Sequence, residues 1–290
     1  GIAPGDHVVT CLSTFCGSCR YCLSGRPALC TREGLERGPD EPPRLAYKGE
    51  RVHAMGRIGG FAEQLLVHEH GVVPIRKDMP LDRAALIGCA VTTGVGAVTR
   101  TAQVAPGSTV AVLGCGGIGL SAIQGASIAG ASRVVAIDKL PWKLDLARKF
   151  GATDVVDASA GDPVEAVRAL VPGGVDYAFE AIGLKLTVEQ GYAMLARAGA
   201  VTLIGMVPEG EQVAFPADDL MATEKRVQGS NMGSNRFRID IPQYVDFYMR
   251  DQLNLDDLVS ARIGLDQVNE GYNALKRGEV ARSVIVFDEI

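Results

Sequence analysis

One stretch constrains the fold more than any other. Residues 108–138 read STVAVLGCGGIGLSAIQGASIAGASRVVAID. The order is strand, tight glycine turn, helix, strand. The first strand, about Thr109–Gly114, is a continuous apolar run suited to a buried parallel sheet. Gly114, Gly116 and Gly119 form G-x-G-x-x-G, with Gly117 as an additional glycine. The first glycine permits the turn and the second lets the backbone approach a pyrophosphate. The third lets the helix pack on the strand, and the helix N-terminus favours phosphate charge. The next strand, about Arg133–Ile137, ends at Asp138, about 20 residues beyond the turn. A carboxylate there can accept hydrogen bonds from the adenosine ribose. It would repel a 2′-phosphate, so NAD is favoured over NADP. The bland alternative is a glycine turn that only allows close packing.

The alternation continues. Residues 152–158, 175–183 and 200–206 read as strands, and 141–150, 163–171 and 187–197 as helices. Strands alternating with helices predict an α/β fold with a doubly wound parallel sheet and right-handed crossovers. No internal repeat or low-complexity tract is visible. A polar loop punctuated by Pro and Gly runs from about Thr31 to Arg57, a length that is uncommon and often functional.

Upstream, CLSTFCGSCRYCLSGRPALC begins at Cys11 and holds five of the seven cysteines. Cys16, Cys19, Cys22 and Cys30 fall in a C-x2-C-x2-C-x7-C pattern. Each C-x2-C step turns two sulfurs toward one point, and Cys30 closes the set after Gly25 and Pro27. Four cysteines with no open position predict a structural rather than a catalytic zinc, holding a lobe too poor in apolar residues to fold alone. Reduced free thiols, an iron–sulfur cluster and a zinc knuckle on nucleic acid are the alternatives. The net charge of −5 and the absence of an aromatic-and-basic face argue against nucleic acid. Cys11 breaks the spacing and reads as a strand residue. An odd number of cysteines, three of them within seven residues, fits a disulfide framework poorly and a reducing, cytoplasmic setting well.

The 290 residues, 47% of them hydrophobic, suit one large domain or two ordinary ones. No apolar run is expected to reach the roughly 18 residues of a membrane span, and no secretory signal is visible. The chain opens on APGDHVV: Pro4-Gly5-Asp6 reads as a turn and His7–Thr10 as a strand. Such an opening reads like the middle of something longer, or like a processed end.

A four-cysteine lobe upstream of a Rossmann unit resembles the zinc-containing alcohol dehydrogenases of the medium-chain dehydrogenase/reductase superfamily. The likeness runs the length of the chain. PGDHV precedes the lobe, and GGFAEQLLVHEHGVVPI resembles the strand pair that follows it. AALIGCAVTTGVGAV resembles the segment supplying one ligand of a catalytic zinc. GCGGIG resembles the phosphate turn, and RFRIDIPQYVDFY and ARSVIVF resemble the C-terminal region. The resemblance implies that Cys16, Cys19, Cys22 and Cys30 hold structural zinc. Cys89 would bind the catalytic zinc and Thr93 would sit beside the nicotinamide. Ile118 would touch the cofactor just past the turn, Asp138 and Lys143 would hold the adenosine ribose, and Arg282 would reach the pyrophosphate. Met55 is a candidate for the substrate pocket. Read without the family, Cys89 could be core, Lys143 a solvated helix charge and Arg282 surface charge.

The implied architecture is a GroES-like β-rich catalytic domain over residues 1–90, with the zinc lobe at 11–31. A Rossmann NAD-binding domain over 91–230 would follow, then a return to the first domain over 231–290. In that family the other catalytic-zinc ligands, a Cys and a His-Glu pair, precede the PGD turn. The resemblance therefore implies a GroES-like domain incomplete at its N-terminus and little activity in these residues alone. His68-Glu69-His70 is the tempting substitute, but it falls where the family has a surface turn. The implied function is hydride transfer from a primary alcohol or hydroxymethyl adduct to NAD. The partners would be a small-molecule alcohol or aldehyde and further copies in a homodimer or homotetramer, with no nucleic acid and no membrane. The rivals are a zinc-independent, quinone reductase-like member of the superfamily and a non-catalytic NAD-binding, zinc-stabilised module.

Overall fold

A computed structural model describes residues 1–32, 34–35 and 41–287. The chain divides into two compact units. One is Gly1–Cys89 with Asn235–Ile290, the other Ala90–Ser234.

The first unit opens with β1 (His7–Thr10) and the cysteine lobe, which contains the short α1 (Arg20–Leu23). In the polar loop, β2 (Ala46–Tyr47) and β3 (Glu50–Arg51) make a small antiparallel hairpin. The rest of that loop includes residues 33 and 36–40, which lie outside the described residues. Next come β4 (Val72–Ile75), antiparallel to β1, and α2 (Leu81–Leu86).

Two expectations need correction here. GGFAEQLLVHEHGVVPI is not a strand pair: only Val72–Ile75 is a strand, and Glu69–Gly71 is a 3-10 turn. A strand needs a ladder partner, and residues 59–68 have none among the described residues; Phe61 and Leu66 are exposed. Cys11 lies one residue past β1, where its N–H still bonds to Gly71 O at 2.9 Å.

The second unit starts with α3 (Thr92–Gly96), which stands between two π-helical segments, Ile87–Val91 and Ala97–Ala102. The helical run Leu81–Ala102 corrects the membrane expectation. By length and composition it could span a bilayer, but 72% of its most apolar window is buried, as in a core helix.

The βα units follow: β5 (Thr109–Leu113), α4 (Gly117–Ile128), β6 (Arg133–Asp138), α5 (Pro141–Lys149), β7 (Asp154–Asp157), α6 (Pro163–Leu170), β8 (Val175–Glu180), α7 (Lys185–Ala193), β9 (Leu195–Leu203), α8 (Ala217–Ala222) and β10 (Arg226–Gly229). The six strands form one parallel sheet in the order β10-β9-β8-β5-β6-β7. This is the doubly wound order with its topological switch between β5 and β8, where such sheets open a crevice at their C-terminal edge. Ala111, Leu113, Val135, Ile137, Ala178 and Val201 sit in its core.

Helix α7 ends before 197 and β9 begins at Leu195 rather than 200, because Val175 N already bonds to Met194 O and draws the chain into the sheet. Strand β8 stops at Glu180, three residues short of the expected end, where Gly183 turns with φ +88°.

The chain returns to the first unit with α9 (Phe237–Met249), β11 (Val259–Ile263), α10 (Val268–Lys276) and β12 (Arg282–Ile285), the last parallel to β11.

Candidate functional site

The cysteine lobe gathers its four sulfurs within 4.8 Å of one another. Sγ–Sγ distances are 3.5 Å for Cys19–Cys22 and for Cys30–Cys16, 3.8 Å for Cys19–Cys30 and 4.0 Å for Cys16–Cys22. A tetrahedron with zinc–sulfur bonds of about 2.3 Å has edges of about 3.8 Å, so the set fits zinc. Peptide N–H groups point at the sulfurs: Cys19 N donates to Cys16 Sγ at 3.3 Å, Cys16 N to Cys30 Sγ at 3.2 Å and Arg32 N to Cys30 Sγ at 3.1 Å. Such donors favour the thiolate, the form that binds metal. The Cys22 and Thr31 backbones pull the Cys19 thiol down to about 5, whereas burial pushes Cys22 up to about 12. Among the described residues this is the one convergent group of metal-binding side chains.

The glycine turn is built as its spacing requires. Gly114 has φ +95°, and a Cβ on Gly119 would collide with Gly114 O, so α4 can approach β5 this closely only without a side chain there. A Cβ on Gly116 would meet open space. Gly117 and Ile118 open α4. Asp138 ends β6 beside the turn. Its Oδ2 accepts from Cys115 N at 2.7 Å and its Oδ1 from Lys139 N at 2.8 Å and Leu140 N at 3.1 Å. Three peptide N–H groups thus aim one carboxylate. A cavity of about 1010 Å³ at this edge of the sheet is lined by Gly114, Gly116, Asp138, Lys143, Ile182 and Thr187, among others. The turn, the acid and Lys143 therefore share one cleft. Lys143 also stands 5.7 Å from the centre of the Trp142 ring.

Thr93 is buried in α3, and its Oγ1 donates to Met232 Sδ at 3.6 Å. In the first unit, Cys89 is exposed and Arg282 half-buried at the start of β12. Burial holds the Arg282 pKa below the usual guanidinium value. Met55 is 83% exposed and does not line the cavity of its own loop, which is bounded by Arg44, His53 and Arg57. His68 and His70 are engaged locally. His70 N donates to His68 Nδ1 at 3.0 Å, and His70 Nδ1 donates to Phe15 O at 2.8 Å while its ring stacks on Phe15.

Sequence reasoning missed Glu180, a fully buried carboxylate beside the cleft. The signal was available: an acid closing the apolar strand VDYAFE.

Comparison with known proteins places this geometry. Residues 1–77 match the alcohol dehydrogenase GroES-like domain and residues 117–250 the zinc-binding dehydrogenase domain. A probable S-(hydroxymethyl)glutathione dehydrogenase 1 of Schizosaccharomyces pombe is 38% identical over 98% of this chain and 76% of its own. The crystal structure of an alcohol dehydrogenase zinc-binding domain protein from Burkholderia ambifaria superposes with a TM-score of 0.93 at 30% identity, covering 99% of this chain and 79% of that one. A putative zinc-binding dehydrogenase from Sinorhizobium meliloti, bound to NADP, gives 0.79 at 30% identity, covering 99% and 78%. The chain belongs to the zinc-containing alcohol dehydrogenases of the medium-chain dehydrogenase/reductase superfamily, as its motifs implied. Its fold is a Rossmann domain with a GroES-like domain, and its family consists of oxidoreductases that use zinc and a nicotinamide cofactor.

Proposed function

We propose that the chain serves hydride transfer from a primary alcohol, or from the hydroxymethyl adduct of a thiol, to NAD. The observation that carries this reading is Asp138, held by three N–H groups at the edge of a cleft it shares with the glycine turn. A carboxylate has about four lone-pair sites and three are taken by the N–H groups, so about one remains for an adenosine ribose hydroxyl, while a 2′-phosphate finds repulsion. Lys143 supports the same ribose, and Gly114, Gly116, Gly117, Ile118 and Gly119 present backbone to the pyrophosphate. Thr93 orients the nicotinamide. Cys89 offers a thiolate to a catalytic zinc, and Cys16, Cys19, Cys22 and Cys30 hold a structural one. A zinc held by Cys89 and further ligands would supply Lewis-acid chemistry to the alcohol, and NAD would be the hydride acceptor. The adduct reading draws on the S. pombe relative's name.

Among the described residues Cys89 joins no convergent ligand group. One thiolate does not fix a catalytic zinc, so turnover by these 290 residues should be slow. Whatever turnover exists should run between alcohol and NAD. The test gives the zinc-loaded chain primary alcohols with NAD, and in parallel a quinone with NADH or NADPH, following nicotinamide absorbance. Quinone-dependent oxidation without alcohol-dependent reduction would overturn the reading in favour of a zinc-independent reductase. Rapid alcohol turnover would show that further zinc ligands come from within the chain, with His68 and His70 the first to replace.

A further inference from the structure

Glu180 closes β8, and the chemistry above makes no use of it. Its Oε1 accepts from Ile182 N at 2.9 Å, Gly183 N at 2.8 Å and Thr187 Oγ1 at 2.8 Å. Its backbone carbonyl accepts from Ile204 N and Gly205 N, both at 2.9 Å. One residue thus ties the loop after β8 to the loop after β9. The two loops touch backbone to backbone: a Cβ on Gly183 would press on Met206, and a Cβ on Gly205 would meet Gly183 N and Glu180 Oε2. On the cleft side, Ile182 packs against the phosphate turn, its Cγ1 only 2.6 Å from where a Gly114 Cβ would stand. Ile182, Leu184 and Thr187 line the same cavity as Asp138. A buried carboxylate carries a desolvation cost that an apolar side chain would not. Glu180 Oε2 is buried with no hydrogen-bond partner among the described residues, so close packing alone does not account for an acid here.

We propose that Glu180 is a positioning residue for the dinucleotide: its carboxylate fixes Ile182–Thr187 so that Ile182 holds the wall of the cleft against Gly114. The inference rests on the cofactor reading of that cleft. The test titrates NAD into the zinc-loaded chain and into Glu180→Ala, Glu180→Gln and Thr187→Val, with thermal unfolding and amide exchange at Ile182 and Gly183 measured alongside. Glu180→Ala should raise the Kd for NAD roughly 10- to 100-fold and speed exchange at both amides. In Glu180→Gln the carboxamide oxygen can accept the same three bonds, and the Kd should return to within about threefold of the native value. Thr187→Val, which removes one donor, should raise the Kd about threefold or more. A folded Glu180→Ala protein with native Kd overturns the proposal, whether or not exchange quickens, and so does a Gln variant as weak as the Ala one. If Glu180→Ala does not fold, a native Kd in Thr187→Val overturns it. If the native chain binds no NAD, the cofactor reading fails and the proposal with it; native binding with unaltered variants sinks the proposal alone.

Discussion

Replacing Asp138 with Gly removes an acceptor that three peptide N–H groups hold in place. Hydrogen bonds to a charged group contribute about 1.5–3 kcal/mol, so the Kd for NAD should rise roughly ten- to hundredfold. NADP affinity should fall less or improve, because the repulsion of its 2′-phosphate is gone. Calorimetric titration of both cofactors checks this, and an unchanged ratio would remove Asp138 from the specificity account. Asp138, the glycines and the four cysteines were legible in the sequence because their constraints are local: a turn, a strand end, a two-residue spacing. Glu180 was not singled out, because its role depends on three partners brought together by a turn that begins only after the strand ends. Met55 had no such local constraint, and the structure leaves its side chain in solvent.

At the scale of elements, the βαβ unit turns on the contact of α4 with β5. Gly119→Ala would put a methyl group into Gly114 O. Overpacking of this kind costs about 1–3 kcal/mol and should move the helix and its phosphate site together. A lowered thermal midpoint with weakened NAD binding is the expected pair of results; a native-like variant would contradict the close approach.

Helix α8 is tied down by Asp219, which accepts from Lys225 Nζ and from Tyr192 Oη, both at 2.9 Å. Lys225, then Tyr192, hold its carboxyl below the usual range. A depressed carboxylate adds stability that is present above its unfolded pKa of about 3.9 and lost as pH falls through the folded value. Acidification below about pH 4 should therefore destabilise the native protein more than Asp219→Asn, as pH-dependent denaturation would show. The buried strands were readable as continuous apolar runs. The hairpin at Ala46–Arg51 and the irregular residues 59–68 were not, because short pairings depend on which partner strand lies alongside rather than on periodicity.

For the molecule as a whole, the four-cysteine lobe and the glycine turn with Asp138 fall in separate units. The lobe's helices are very short, α1 and the turn Pro27–Leu29, with Ala28 their one buried residue, so zinc should supply much of the order around the four cysteines. A chelator should release about one zinc per chain and expose four thiols to a thiol reagent. Cys19→Ser should lose the zinc without the chelator and leave the three remaining thiols of the set reactive. NAD binding by the Rossmann unit should survive both treatments. Iron in the purified chain, or a well-ordered lobe in metal-free Cys19→Ser, would contradict this. The central claim, that this is an NAD-using zinc dehydrogenase whose cofactor choice is set by Asp138, meets its most direct test in paired titrations of the zinc-loaded native chain with NAD and NADP. The account predicts that NAD binds at least about tenfold more tightly, a difference of about 1.4 kcal/mol. Equal or tighter binding of NADP, or no binding of either, would contradict it.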